Sequence, residues 1–396
     1  MKYVIVQGDG MADRSQEELS GLTPLAAADT PNMDALAGAG EIGLVETIPS
    51  QLPPGSSVGN ISLMGLNPEE HFTGRAPLEA RGQGVKIGPD DVAFRCNLVK
   101  FGENGRGRTM ADYSGGHPSD PAAEAMIDEL KEKVGGGKFR FYSGVSYRHL
   151  MVWKDGRNEL DWKRADLTPP HDISGQAVAE YLPGGAGSNS LSKLQEQGRK
   201  VLSDYSGGPN GIWFWGAGVR PDIPTFKQRY GLEGTVISAV DLIKGIGSYA
   251  GLDPVDVEGA TGFIDTNYEG KVQAALDGLS EDGLVFIHIE APDEASHMGE
   301  LETKLEAIEK VDELVVGSLL SSLSGDPDTR IMAVTDHVTG LKSGTHERGA
   351  VPFAVSEIAS LNDQVSGNFS ESAARKSGRE ISGGPELFDL FLSEGL

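Results

Sequence analysis

Three short runs of strand-forming apolar residues each lead to an acidic residue, and this pattern narrows the chain to folds in which carboxylates gather at strand ends. Tyr3-Val4-Ile5-Val6 delivers Asp9, Leu284-Val285-Phe286-Ile287-His288-Ile289 delivers Asp293, and Ile331-Met332-Ala333-Val334-Thr335 delivers Asp336. Runs of this length read as buried strands. Helical signals alternate with strand signals: Asn32 to Ala37 behind Thr30-Pro31, Asp241 to Lys244 after the strand-like Val236 to Val240, and a stretch from about Leu301 to Leu320. Alternation of this kind predicts an α/β fold with a central, mostly parallel sheet flanked by helices. Such sheets bind ligands beyond the carboxyl ends of their strands.

The texture changes in the middle of the chain. Gly135-Gly136-Gly137 is turn-rich, Phe139 to Tyr142 and His149 to Trp153 read as strands, and Pro183 to Ser190 reads as a loop. A chain of 396 residues is long enough for two to three domains. The expected division is a discontinuous core, 1–94 and 206–396, interrupted by a smaller α+β insertion, 95–205.

Composition excludes several classes of partner. Lys+Arg 34 against Asp+Glu 59 leaves a formal charge of -25, which repels both a nucleic-acid backbone and an anionic membrane surface. The one cysteine, Cys96, lies in an apolar run and reads as a buried strand thiol, which fits a reducing cytoplasm. The sequence shows no signal peptide and no transmembrane span, so a soluble cytoplasmic protein is expected. Oligomeric state is left open.

Asp293, His297, Asp336, His337 and His346 fall within 54 positions. Asp293 and His297 are one helical turn apart and would share a face. Carboxylate oxygen and imidazole nitrogen together suit Mn²⁺ or Zn²⁺, with Mg²⁺ and Co²⁺ overlapping. Taken singly, an Asp after a strand is commonly a helix N-cap, and a lone histidine is commonly no ligand; the grouping is what points to metal-assisted chemistry. Pro53-Pro54-Gly55-Ser56-Ser57 precedes a helix-like run, and a serine there either caps the helix or, beside a divalent ion, accepts a phosphoryl group. A Walker-type loop and a dinucleotide fingerprint are both absent, so no nucleotide cofactor is expected.

Several blocks resemble the archaeal-type cofactor-independent (2,3-bisphosphoglycerate-independent) phosphoglycerate mutases of the alkaline phosphatase superfamily. They include Gly8-Asp9-Gly10-Met11-Ala12-Asp13, Pro54-Gly55-Ser56, Gly74-Arg75-Ala76-Pro77-Leu78-Glu79-Ala80, Asp265-Thr266-Asn267-Tyr268-Glu269-Gly270-Lys271 and Glu290-Ala291-Pro292-Asp293-Glu294-Ala295-Ser296-His297. The resemblance implies an alkaline-phosphatase-like core holding two divalent ions, Mn²⁺ foremost, and an inserted substrate-binding domain. Asp293, His297 and His346 would hold one ion; Asp9, Ser56, Asp336 and His337 the other. Ser56 would take the phosphoryl group from 3-phosphoglycerate and return it to the 2-hydroxyl. Arg75 and Lys244 are candidate phosphate or carboxylate contacts, and His117, Arg148, His171 and Asp172 are candidate substrate residues of the insertion. Where archaeal members carry an arginine-rich segment, this chain has Ala111-Asp112-Tyr113-Ser114-Gly115-Gly116-His117-Pro118. That departure keeps open phosphotransfer to another alcohol such as homoserine, a role proposed for a bacterial branch. Phosphomonoester hydrolysis is the third reading.

Overall fold

The structure is a computed structural model and describes residues 1–105, 107–203, 205, 207–279, 283–361 and 367–393. In chain order the strands are β1 (Lys2–Gly8), β2 (Glu41–Val45), β3 (Val92–Asn104), β4 (Gly107–Asp112), β5 (Phe139–Tyr142), β6 (Arg148–Trp153), β7 (Gly211–Gly218), β8 (Glu233–Ile237), β9 (Asp253–Val255), β10 (Gly283–Ile289), β11 (Thr329–Val334), β12 (Val338–Gly340), β13 (Thr345–Glu347), β14 (Val351–Glu357) and β15 (Glu380–Ile381). The chain divides into two compact units, residues 1–72 with 222–396, and residues 73–221.

The first unit is built on an eight-stranded sheet in the order β15-β2-β14-β11-β1-β10-β8-β9. The pairings β11–β1, β1–β10, β10–β8 and β8–β9 are all parallel, while β14 runs antiparallel to β11 and β2. The expected mostly parallel α/β sheet is therefore present. Both faces of its central strands are buried, which explains their near-continuous apolar sequences. Register decides where the chemistry gathers. Gly8 lies opposite Ile289, and Gln7 lies opposite Val334, so β1, β10 and β11 stop within a residue of one another. The strand expected at 236–240 instead ends at Ile237, because the Ser238 hydroxyl accepts the Val240 N–H at 2.9 Å and turns the chain.

In the second unit β3 is the organising strand, pairing with β7 on one side and with β6 and then β4 on the other. Alternation along it separates two faces. Val92, Phe94, Cys96 and Leu98 bury against residues from the helices Asp120–Leu130 and Asn189–Leu202. Ala93 packs with Ala76 and Ala80 of the helix Arg75–Gly82, and Val99 with Met110, Ile173 and Trp213. Cys96 is fully buried, as its sequence context predicted, and burial pushes its thiol pKa up.

These contacts move the domain boundaries outward from the expected 94/95 and 205/206, to 72/73 and 221/222. A cut at residue 95 would sever β3 itself, and one at 205 would detach β7, which pairs with β3 from Ala93 to Val99. The loop read at 183–190 is shorter than expected, because Asn189 and Ser190 open the helix Asn189–Leu202. Among the described residues, no helix is long and apolar enough to cross a membrane.

Candidate active site and metal centre

The three strand ends bring Asp9, Asp293 and Asp336 together. Gly10 has φ of +60°, and a Cβ there would lie 2.5 Å from Asp293 Oδ1 and 2.6 Å from Thr339 Oγ1, so the β1 exit requires glycine for both conformation and space. Its N–H donates to Asp336 Oδ1 at 3.2 Å, and Asn60 Nδ2 donates to Asp336 Oδ2 at 3.1 Å. The helix Ala291–Met298 starts directly after β10 and carries both Asp293 and His297, as the four-residue spacing predicted.

Ser56 is the first residue of the helix Ser56–Leu63, with Gly55 (φ +148°) before it. Gly55 contributes no side-chain cap, so Ser56 sits at a helix N-terminus whose dipole favours anions. The Ser56 hydroxyl lies 3.1 Å from His337 Nε2. That same nitrogen is 3.2 Å from Asp336 Oδ2 and 3.4 Å from Asp9 Oδ1. Asp293 Oδ2 is 3.1 Å from His297 Nε2 and 3.6 Å from His346 Nε2, and those two ring nitrogens are 3.1 Å apart. His297 Nδ1 donates to the Gly344 carbonyl at 2.8 Å, which turns Nε2 toward Asp293.

This donor set fits divalent cations. Asp9, Asp336 and His337 form one ligand group, and Asp293, His337 and His346 another, each with ligand atoms within 4.8 Å of one another. Asp9 Oδ1 is buried with no hydrogen-bond partner. Burial, then the charges of Asp336, Asp293 and Glu290, push the Asp9 carboxyl well above the usual carboxylate range, a repulsion that a cation relieves. Burial works the same way on Asp293, but bonds from His297 and His346 outweigh it and hold that carboxyl well below the usual range. The Asp293 bond holds a proton on His297 up to about 9. A cation taking His297 Nε2 must displace that proton. Metal affinity should therefore rise about tenfold per pH unit through the neutral range and level off near pH 9. Titration calorimetry in buffers of different ionisation enthalpy reads the released proton; uptake without proton release contradicts it.

Two residues here went unread in the sequence. His288 was taken as part of an apolar strand, yet its fully buried ring reaches Asp9 Oδ2 at 2.8 Å and Glu290 Oε2 at 3.3 Å through Nε2, and Ser238 Oγ at 3.0 Å through Nδ1. Asp9, His288 and Glu290 form a third ligand-like group. Nε2 faces the carboxylates of Asp9 and Glu290, which accept, so it carries the ring proton and donates to Asp9, and the Ser238 hydroxyl donates to the bare Nδ1. His288 is thus a donor that fixes Asp9. Lys271, also fully buried, donates Nζ to the His288 carbonyl at 3.1 Å, and burial lowers its pKa to about 8. A histidine inside a hydrophobic strand and a lysine on the buried face of a helix were the available signals.

Lys244, a candidate anion contact, lies in the helix Asp241–Tyr249. It forms an ion pair with Asp256 at 2.5 Å, and its charge is felt at Lys271.

The other substrate residues read from the sequence lie in the second unit, and several meet there. Glu79 accepts from Arg75 Nε at 2.7 Å and is paired with Arg95 Nε at 2.9 Å. Burial of Glu79 is outweighed by the charges of Arg95, Arg75 and Arg148, which keep its carboxyl ionised. Two guanidinium groups thus hold one carboxylate, and the charge of a third is felt there. The Arg95 guanidinium lies 4.1 Å from the Trp215 ring centroid, and the His171 ring lies 5.3 Å from the same indole. Tyr113 links His171 to Tyr147, against which the His117 ring packs edge-on at 5.2 Å. His117 has φ of +50°, at the end of a turn in which Asp112 accepts from Ser114 N, Ser114 Oγ and Gly116 N. Asp172 is exposed and 3.5 Å from His171 Nε2. His149, beside Arg148, turns inward and accepts the Gly144 N–H at 3.0 Å. Arg95 was hidden in the strand run around Cys96; a charged residue at an otherwise apolar position was its only mark.

Comparison with known proteins adds independent findings. The family described as 2,3-bisphosphoglycerate-independent phosphoglycerate mutase matches residues 37–206. A probable 2,3-bisphosphoglycerate-independent phosphoglycerate mutase of Geobacter sulfurreducens is 45% identical over 99% of this chain and 100% of its own. The 2,3-bisphosphoglycerate-independent phosphoglycerate mutase of Methanosarcina barkeri is 45% identical over 95% of each chain. Among solved structures, a protein of Pyrococcus horikoshii is similar with TM-score 0.79 at 25% identity, covering 100% of this chain and 98% of that one. The cofactor-independent phosphoglycerate mutase of Thermoplasma acidophilum is similar with TM-score 0.64 at 25% identity, with 99% of both chains covered.

Proposed function

Since this chain belongs to the 2,3-bisphosphoglycerate-independent phosphoglycerate mutase family, we propose that it interconverts 3- and 2-phosphoglycerate through a phosphorylated Ser56 beside two divalent ions, Mn²⁺ foremost. The observation that carries this reading is the Ser56 hydroxyl, at a helix N-terminus and 3.1 Å from His337 within the converging carboxylates and imidazoles. Asp293, His297 and His346 would hold one ion, and Asp9, Ser56, Asp336 and His337 the other. When bound, the ions neutralise charge on phosphoryl oxygens and favour the serine alkoxide.

Ser56 Oγ forms a bond to phosphorus as the bond to the 3-oxygen of the glycerate breaks; Ser56 gives up its proton, and the 3-oxygen gains one. The second half-reaction runs the same exchange in reverse with the 2-oxygen. The helix N-terminus orients the transferring group in both directions. Within the second unit, Arg75 and Arg95 hold Glu79 and the Arg148 charge is felt there, a guanidinium grouping whose chemistry suits a planar carboxylate. That grouping supplies the chemistry missing from the altered 111–118 segment. His117, His171 and Asp172 remain proposed substrate contacts beside it, and Lys244 a weaker one. The ligand is a small phosphorylated acid, and the cytoplasm is the proposed compartment for a chain with one buried thiol.

Purified protein loaded with Mn²⁺ should convert 3- to 2-phosphoglycerate without added 2,3-bisphosphoglycerate, as followed by phosphorus NMR. Release of inorganic phosphate alone, or transfer only to homoserine, would replace this reading with hydrolysis or intermolecular phosphotransfer.

A further inference from the structure

Thr339 was not among the residues the sequence marked, yet it touches both ligand groups. Its side chain is fully buried, with Oγ1 2.6 Å from Asp293 Oδ1 and 3.0 Å from His337 Nδ1. It stands opposite His346 in the β12–β13 pairing, its N–H donates to the Ala12 carbonyl at 3.0 Å, and its carbonyl accepts from Lys304 Nζ at 2.9 Å. The residue is held from every side.

We propose that the Thr339 hydroxyl is a positioning group that sets the His337 tautomer for ion binding and couples that ring to Asp293; the inference rests on the two-ion reading above. A hydroxyl has one proton, and a carboxylate oxygen can only accept, so the proton goes to Asp293. The Thr339 oxygen then accepts the proton of His337 Nδ1, leaving a lone pair on Nε2. That lone pair faces Ser56 Oγ at 3.1 Å, Asp336 Oδ2 at 3.2 Å and Asp9 Oδ1 at 3.4 Å. Without the hydroxyl, the two carboxylates draw the ring proton to Nε2, and an N–H occupies the ligand position.

His288 shows the opposite arrangement on the other side of Asp9. There Ser238 donates to Nδ1, and Nε2 presents a proton to Asp9 Oδ2. Two hydroxyls thus assign opposite tautomers to two buried imidazoles flanking one carboxylate. His337 is left as a ligand, and His288 as a donor.

The test is Thr339→Val, near in shape but without the hydroxyl, with Thr339→Ala as a second variant should the valine protein not fold. Imidazole nitrogen NMR of the metal-free protein reads the tautomer, and calorimetry with Mn²⁺ reads affinity and stoichiometry. Wild type should show His337 protonated at Nδ1. Both variants should move the proton to Nε2 and weaken Mn²⁺ binding about 10- to 100-fold, the usual effect of losing a group that orients a metal ligand. Thr339→Ser should restore tautomer and affinity. An unchanged tautomer in the variants overturns the proposal, whether or not affinity falls. Wild type that binds no ion overturns the two-ion reading instead, and the metal-free tautomer still decides the role of Thr339.

Discussion

Ser56→Ala should abolish interconversion of the phosphoglycerates, lowering kcat by about 10⁴-fold or more, as expected when a covalent nucleophile is removed. The fold should survive. Ser56 lies at the first position of its helix, makes its bond to His337 and caps nothing, so its loss removes no core packing. Ion binding should also survive at reduced affinity, since the carboxylates and imidazoles of both groups remain. Steady-state kinetics and Mn²⁺ titration on the same preparation separate these effects. Residual turnover within tenfold of wild type would mean that another group accepts the phosphoryl, or that transfer is direct.

Lys304→Met should cost about 3–5 kcal/mol of stability, the usual penalty for stripping one partner from a buried ion pair. Lys304 Nζ and Asp13 Oδ2 are 2.9 Å apart, with side chains 0% and 1% exposed. Asp13 also accepts the N–H groups of Arg14 and Leu341, and its own N–H donates to Glu371. The pair therefore joins the β1 exit, the helix Leu301–Lys310 and the loop after Thr339. Methionine fills the volume but strands the Asp13 charge. Lys304→Met/Asp13→Asn removes that charge, keeps an acceptor for Leu341, and should be less destabilised than the single variant. Urea denaturation measures both; a single-variant loss under about 1 kcal/mol would show that Asp13 is compensated otherwise.

The legible part of this protein was the part written in local periodicity. Apolar runs closed by Asp9, Asp293 and Asp336 marked three strand exits, and one helical turn joined Asp293 to His297. Parallel register then did the rest, because strands that stop together bring their exits together. What local pattern could not show was which polar groups face one another across the sheet. His288 reads as one more strand residue until β1 sets Asp9 beside it, and Thr339 reads as an ordinary residue of a short strand until it meets Asp293 and His337. Arg95 is similar: its meeting with Arg75 depends on the helix Arg75–Gly82 packing on β3. The domain boundaries failed for a related reason, since β3 runs through residue 95 without any break in its sequence pattern. Lys244 is a further case, a basic side chain whose pairing with Asp256 no local pattern showed.

The central claim is that the phosphoryl group passes through Ser56. Phosphoserine survives acid, so protein loaded with Mn²⁺ and mixed with 3-phosphoglycerate can be quenched in acid, digested and examined by mass spectrometry. The account predicts one phosphoryl group on the peptide containing Ser56, formed at least as fast as 2-phosphoglycerate appears. Full conversion of substrate with that peptide unmodified at every quench time would contradict it.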